Sequence, residues 1–198
     1  MHFSKQAYSN NRWLHSSKEY TVAAGYNWVR IHKSKVDWRF LCWNSLNLPK
    51  SSFIFWVFMH QRWSTRDRLA RMGLVGDTSC PICLLDPKSH HHLVYDCVYA
   101  RTCFRLLQDR LGFKFSLLHL VPWFSTGRRT KLQRIFIGSC CVALIYWIWR
   151  IRNKARVDNV VRRPEVVILQ IIKDIKTRFM RRNSTILRSR DRAWLQLL

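Results

Sequence analysis

The chain has 198 residues, 48% of them apolar, with Trp 10 and Phe 11. That is enough apolar material for one buried core, and it excludes a globally disordered chain. Lys and Arg number 35 against 11 Asp and Glu, a formal charge of +24. Such self-repulsion points to a polyanionic partner, nucleic acid first and an anionic membrane surface second, while indiscriminate polyanion binding is the plainer alternative.

In chain order, residues 1–19 are polar and read as a flexible N-terminal segment. Residues 20–30 (YTVAAGYNWVR) read as a short strand turning into a helix. Residues 36–44 bring Trp38, Phe40, Cys42 and Trp43 close together, and Leu48-Pro49-Lys50 breaks the chain. Residues 52–61 are apolar almost all round. Phe53, Trp56, Val57 and His60 have helical spacing there, so a buried helix is expected. Ser64 or Thr65 can cap a following helix, and Gly73 can end it in the left-handed conformation.

Beyond residue 97, residues 99–111 read as an amphipathic helix with Phe104, Leu106, Leu107 and Leu111 inward. Residues 117–124 read as an apolar connector broken by Pro122. Residues 131–156 read as one long helix. Its apolar centre, IFIGSCCVALIYWIW, falls short of the roughly 20 residues that cross a bilayer, so a buried core helix is expected and not a membrane span. Pro164 suits the first turn of a last helix in which Val167, Ile168, Ile171, Ile172, Ile175 and Phe179 repeat. The basic tail, residues 181–198, receives no assignment. The expected fold is mainly α: a small helical domain with an inserted Cys3His zinc loop and C-terminal helices.

Seven cysteines and no N-terminal apolar leader argue against a disulfide framework and for a reducing, intracellular location. Three of the thiols cluster with histidines in CPICLLDPKSHHHLVYDC, residues 80–97. Cys80 and Cys83 form a Cys-x2-Cys pair whose two thiolates can meet one ion at a single turn. Cys97 and a histidine complete the four soft or borderline ligands that Zn2+ takes in a tetrahedron. The motif does not choose among His90, His91 and His92. A set of four protein ligands implies a structural zinc and not a catalytic one. Cys42, Cys103, Cys140 and Cys141 read as small core residues.

The eleven carboxylates are scattered, with no Asp-Asp pair to hold catalytic divalent ions. There is also no Gly-rich phosphate loop and no nucleophile motif. The expectation is a chain that is not an enzyme and takes no small-molecule substrate. Basic residues cluster instead, and Arg66, Arg68, Arg71, Arg128, Arg129 and Lys131 are the candidate phosphate contacts. Further clusters lie at Arg150, Arg152, Lys154 and Arg156, and from Arg178 to Arg192. Trp63 and Tyr95 are candidates for stacking on unpaired bases, with core packing the stronger reading.

The order of motifs from Trp38 to Cys97 resembles the zinc-binding domain that follows the reverse transcriptase of plant LINE-type retrotransposons. The residues that carry the resemblance are Trp43, Pro49-Lys50, Phe53, Trp56, Thr65-Arg66-Asp67-Arg68-Leu69, Gly73, Cys80, Cys83, His92-Leu93-Val94 and Cys97. Val94 stands where the family pattern has Phe. The resemblance implies Cys80, Cys83, His92 and Cys97 as the metal ligands, so it selects His92. It extends weakly to residues 20–26 and to Trp149-Arg150-Ile151-Arg152-Asn153, similar to a Trp-x-x-Arg-Asn that follows the domain. It implies residues 20–112 as the zinc-binding domain and 113–198 as a basic helical extension. No polymerase precedes it in the chain, so a separated fragment of an element, or a gene derived from one, is expected. The implied function is non-catalytic binding of RNA or single-stranded DNA, with nucleic acid and a reverse transcriptase domain as partners and a nuclear location fitting the charge. The alternatives are a protein-interaction module or an inert remnant.

Overall fold

In a computed structural model of the protein, residues 36–74, 79–84, 89–115, 120–125, 129–183 and 189–198 are described. The segments expected at 1–19 and 20–30 lie outside them. Among the described residues the chain is helical, with no β-strand. The helices are α1 (Arg39–Cys42), α2 (Pro49–Met59), α3 (Arg66–Arg71), α4 (Val98–Leu111), α5 (Leu120–Ser125), α6 (Lys131–Asp158), α7 (Pro164–Asn183) and α8 (Ser189–Gln196). A π-helical turn, His92–Asp96, leads into α4.

The fold is organised around α6. Thr130 caps it, its hydroxyl oxygen accepting the Gln133 amide at 3.1 Å while the Gln133 side chain accepts the Thr130 amide at 3.1 Å. The Thr130 hydroxyl also donates to the buried Asp191 of α8 at 2.8 Å. Phe136, Ile137, Cys140, Cys141, Leu144, Ile145 and Ile148 of α6 are fully buried. Helices α1, α2, α4 and α7 and the π-turn all pack on α6. By length and composition α6 is long and apolar enough to cross a membrane, yet 67% of its most apolar window is buried inside the fold.

Helix α7 meets its expectation closely. It begins at Pro164, and Val167, Ile168, Ile171, Ile172, Ile175 and Phe179 are all buried. Helix α3 ends in a Schellman turn: Gly73, at φ +71°, donates to Ala70 and Leu74 donates to Leu69. Thr65 is its N-cap residue, but its side chain makes no capping hydrogen bond.

Two expectations are corrected. Helix α2 starts at Pro49, and its buried side chains are Ser51, Ser52, Ile54, Phe55 and Phe58. Phe53 is 58% exposed and His60 is exposed, while Trp56 and Val57 are half-buried against the core, so that spaced set turns only partly inward. A segment apolar all round has no unique inward stripe, and packing against α6 decides. The stretch around Pro122 is helix α5 and not a broken connector. Pro122 is its third residue, where a missing N–H costs no intrahelical bond.

Asp37–Leu198 form one compact unit. The metal-binding segment and the basic helices therefore share a core. Asn44 donates to the Ile135 carbonyl of α6 at 3.1 Å, and the Tyr99 hydroxyl of α4 donates to the Arg162 carbonyl at 2.7 Å.

Candidate metal centre

Three local structures deliver four ligands to one point. The first is the turn at residues 80–84, closed by the Leu84 amide on the Cys80 carbonyl at 3.0 Å, with Leu84 at φ +59°. It presents Cys80 and Cys83. The second is the π-turn. Ser89 Oγ accepts the His92 amide at 3.0 Å, and the Cys97 amide closes on the His92 carbonyl at 2.9 Å, one residue wider than an α-helical bond. The third is the N-terminus of α4, where Cys97 is the capping residue.

One ligand atom from each of Cys80, Cys83, His92 and Cys97 lies within 4.8 Å of all the others. A tetrahedral zinc with Zn–S near 2.3 Å and Zn–N near 2.0 Å sets its ligand atoms roughly 3.5–3.8 Å apart. His92 Nε2 already stands 3.3 Å from Cys83 Sγ. The donor set and its spacing fit one such ion. Cys80 and Cys97 are fully buried, His92 is 4% exposed and Cys83 is half-buried.

The other two histidines have different work. His90 stacks on Phe58, rings 4.9 Å apart, and its Nε2 meets the Phe58 carbonyl at 3.0 Å. His91 is exposed, its Nδ1 2.7 Å from Asp96 Oδ2. The geometry thus makes a choice that the bare motif leaves open.

The electrostatics favour a thiolate. Cys80 is held well below the usual thiol range, first by a hydrogen bond from Cys97, then by the Cys83 amide, the Arg152 charge and the Ile82 amide, against the cost of burial. Cys97 is pushed up by the same shared hydrogen bond and by burial. Its place at a helix N-terminus favours its ionised form once an ion displaces that proton. The remaining thiols are different. Cys42 rises to about 11 and Cys103 to about 12 through burial, and Cys140 and Cys141 are raised as well. They are core residues, and all seven cysteines are free.

Arg152 is the residue the sequence misplaces. Read there among the exposed basic clusters, it is 1% exposed, and its guanidinium donates to Cys80 Sγ at 3.1 Å and to the Leu93 carbonyl at 2.7 Å. The Trp-x-x-Arg-Asn resemblance was the available signal.

The candidate phosphate contacts do not gather here. The Arg66 side chain and Arg128 lie outside the described residues. Arg68 donates to the Gln61 carbonyl at 3.2 Å, and Arg71 is exposed in the last turn of α3. Arg129 lies 3.5 Å from the Trp123 ring centre and donates to the Trp123 carbonyl at 3.0 Å, so packing engages it. Lys131 is exposed at the start of α6. It precedes Arg152 by about six helical turns, roughly 30 Å along the helix. Trp63 is buried and its indole donates to the Ile54 carbonyl at 3.2 Å, which removes it as a stacking platform. Sequence reasoning passed over Arg101 and Arg105. They are exposed one turn apart on α4, lining a shallow groove with Val98 and Thr102 just after the ligand Cys97.

These features define a class: a helical module built around a Cys3His metal centre. Residues 20–104 match a family model described as zinc-binding in reverse transcriptase. The match contains all four ligands and ends within α4, ahead of α6 and Arg152. No curated protein and no solved structure matches the chain.

Proposed function

We propose that the chain is a non-catalytic zinc module that binds single-stranded nucleic acid, RNA or DNA, and that it descends from a plant LINE-type retrotransposon polyprotein. The observation that carries this reading is the closed Cys3His cluster in a chain of charge +24. Four protein ligands fill a zinc tetrahedron and leave no position for substrate, so the ion is structural. Its ligands need reduced thiols, which fits an intracellular, nuclear setting. The phosphate contacts are the exposed arginines of α4, Arg101 and Arg105, with Arg71 of α3 also exposed.

Fluorescence anisotropy with a labelled single-stranded RNA and its DNA counterpart tests the reading. Affinity falls steeply with salt, with a slope near −0.7 per phosphate neutralised. Arg101→Gln with Arg105→Gln makes that slope shallower by about 1.4. An unchanged slope sinks the α4 assignment, and no binding at low salt sinks the nucleic-acid reading.

A second reading has its own observation. Trp43 is 68% exposed, and the exposed Phe53 stacks on Trp56 with ring centres 6.1 Å apart. Exposed aromatics of this kind suit a protein partner, a reverse transcriptase domain first. Trp43→Ser with Phe53→Ser leaves nucleic-acid binding intact and abolishes binding to such a domain if that reading holds.

A further inference from the structure

The environment of Arg152 is incomplete without charge on the ligands. It is among the largest fully buried side chains in the fold. Its guanidinium donates to the Cys80 sulfur and to a main-chain carbonyl, and Nε has no hydrogen-bond partner. Among the described residues no carboxylate hydrogen-bonds it. A buried guanidinium is costly unless a counter-charge faces it, because water would otherwise solvate its charge. A divalent ion held by three thiolates and a neutral imidazole carries one net negative charge, which Arg152 cancels.

Geometry supports the same role. The Cys80 contact comes from one end of the guanidinium and the Leu93 contact from the other. Leu93 follows the ligand His92 in the π-turn. A single planar fork therefore spans the Cys80–Cys83 turn and the π-turn, fixing the distance between the two halves of the ligand set. The fork is carried by α6, which is rigid through its burial. Outer partners of this kind orient ligands and tune the bound metal.

Resting on the metal assignment above, we propose that Arg152 is the positioning residue of the metal centre: it balances the charge of the Cys3His-bound ion and locks the two ligand-bearing turns together. Arginine suits this position where lysine does not, since an ammonium cannot span both acceptors in one plane.

The test uses the full chain, with Arg152→Met and Arg152→Lys beside the parent. Zinc affinity is measured by competition with a chromophoric chelator, and unfolding temperature is measured with and without zinc. Arg152→Met weakens zinc binding by about 10- to 100-fold. It also shrinks the zinc-induced rise in unfolding temperature without a matching loss in the metal-free protein. Arg152→Lys keeps the charge and recovers part of the affinity. In the Co2+-loaded protein both variants shift the thiolate-to-cobalt charge-transfer band, because a donor to Cys80 has changed. Equal zinc affinity in parent and both variants overturns the proposal, as does an equal fall in unfolding temperature with and without zinc, the mark of a purely structural arginine. If Arg152→Met does not fold, the affinity and cobalt spectrum of Arg152→Lys decide alone. A parent that takes up no zinc overturns the metal assignment itself, a different result from a zinc-loaded parent with indifferent variants.

Discussion

Three consecutive histidines have three different environments, and that difference is testable one residue at a time. His92 points Nε2 at Cys83 Sγ, His90 packs against Phe58, and His91 meets Asp96 at the surface. His92→Ala removes one of four ligands from a buried site. Zinc per purified chain, measured by elemental analysis, drops below one or is lost on mild chelation. Cys83→Ser gives the same result. His91→Ala retains full zinc and near-parent stability, since exposed pairs contribute about 0–1 kcal/mol. His90→Ala retains zinc but loses the ring contact with Phe58, at a cost of about 0.5–1.5 kcal/mol beyond the area lost. Full zinc in His92→Ala contradicts the assignment. The ligand types were legible in the sequence because thiols at turn spacing are scarce. The choice of His92 came from resemblance, and its physical reason lies in the π-turn, which no residue pattern announces.

At the scale of elements, α6 lies close against its neighbours at Gly138. A Cβ built there comes 2.9 Å from Leu41 Cδ2 and 3.6 Å from Phe124 Cζ. Both neighbours are buried and have little room to yield. Gly138→Val therefore overpacks the α1–α5–α6 junction and lowers stability by about 1–3 kcal/mol, read from the urea midpoint at unchanged slope. Ile171→Ala, on the buried face of α7, opens a cavity instead and costs about 2–5 kcal/mol by the same measurement. How these helices could be read in advance depends on contrast. In helix α7 Val167, Ile168, Ile171, Ile172, Ile175 and Phe179 recur at helical spacing, so its inner face was evident. Helix α2 lacks that contrast, and its inner face follows only from what packs on it. Helix α6 was legible as an apolar helix, but its one inward arginine looked like a member of a basic surface cluster. A charge is placed by its partners, and those of Arg152 come from residues 80–93, distant in sequence.

For the whole molecule, the matched segment and the folding unit differ in extent. Residues 20–104 carry the ligands, but α6 covers α2, donates Arg152 to the centre and packs with α4 and α7. A fragment of residues 20–112 exposes the inner faces of α2 and α4 and lacks the counter-charge to the bound ion. It is expected to be largely unfolded by circular dichroism without zinc, and to bind zinc more weakly than the full chain by at least the 10- to 100-fold expected for loss of an outer partner. A fragment of residues 37–198 keeps the compact unit and binds zinc like the parent. Hydrogen exchange adds the spatial detail. Removing zinc from the full chain lowers protection first in residues 89–104, where the ion ties the π-turn to α4, while the α6–α7 pair stays protected because apolar burial and not metal holds it. Cooperative loss of protection across α6 and α7 on chelation contradicts this division and makes the ion the keystone of the whole core. A 20–112 fragment that folds and binds zinc tightly contradicts the role assigned to α6.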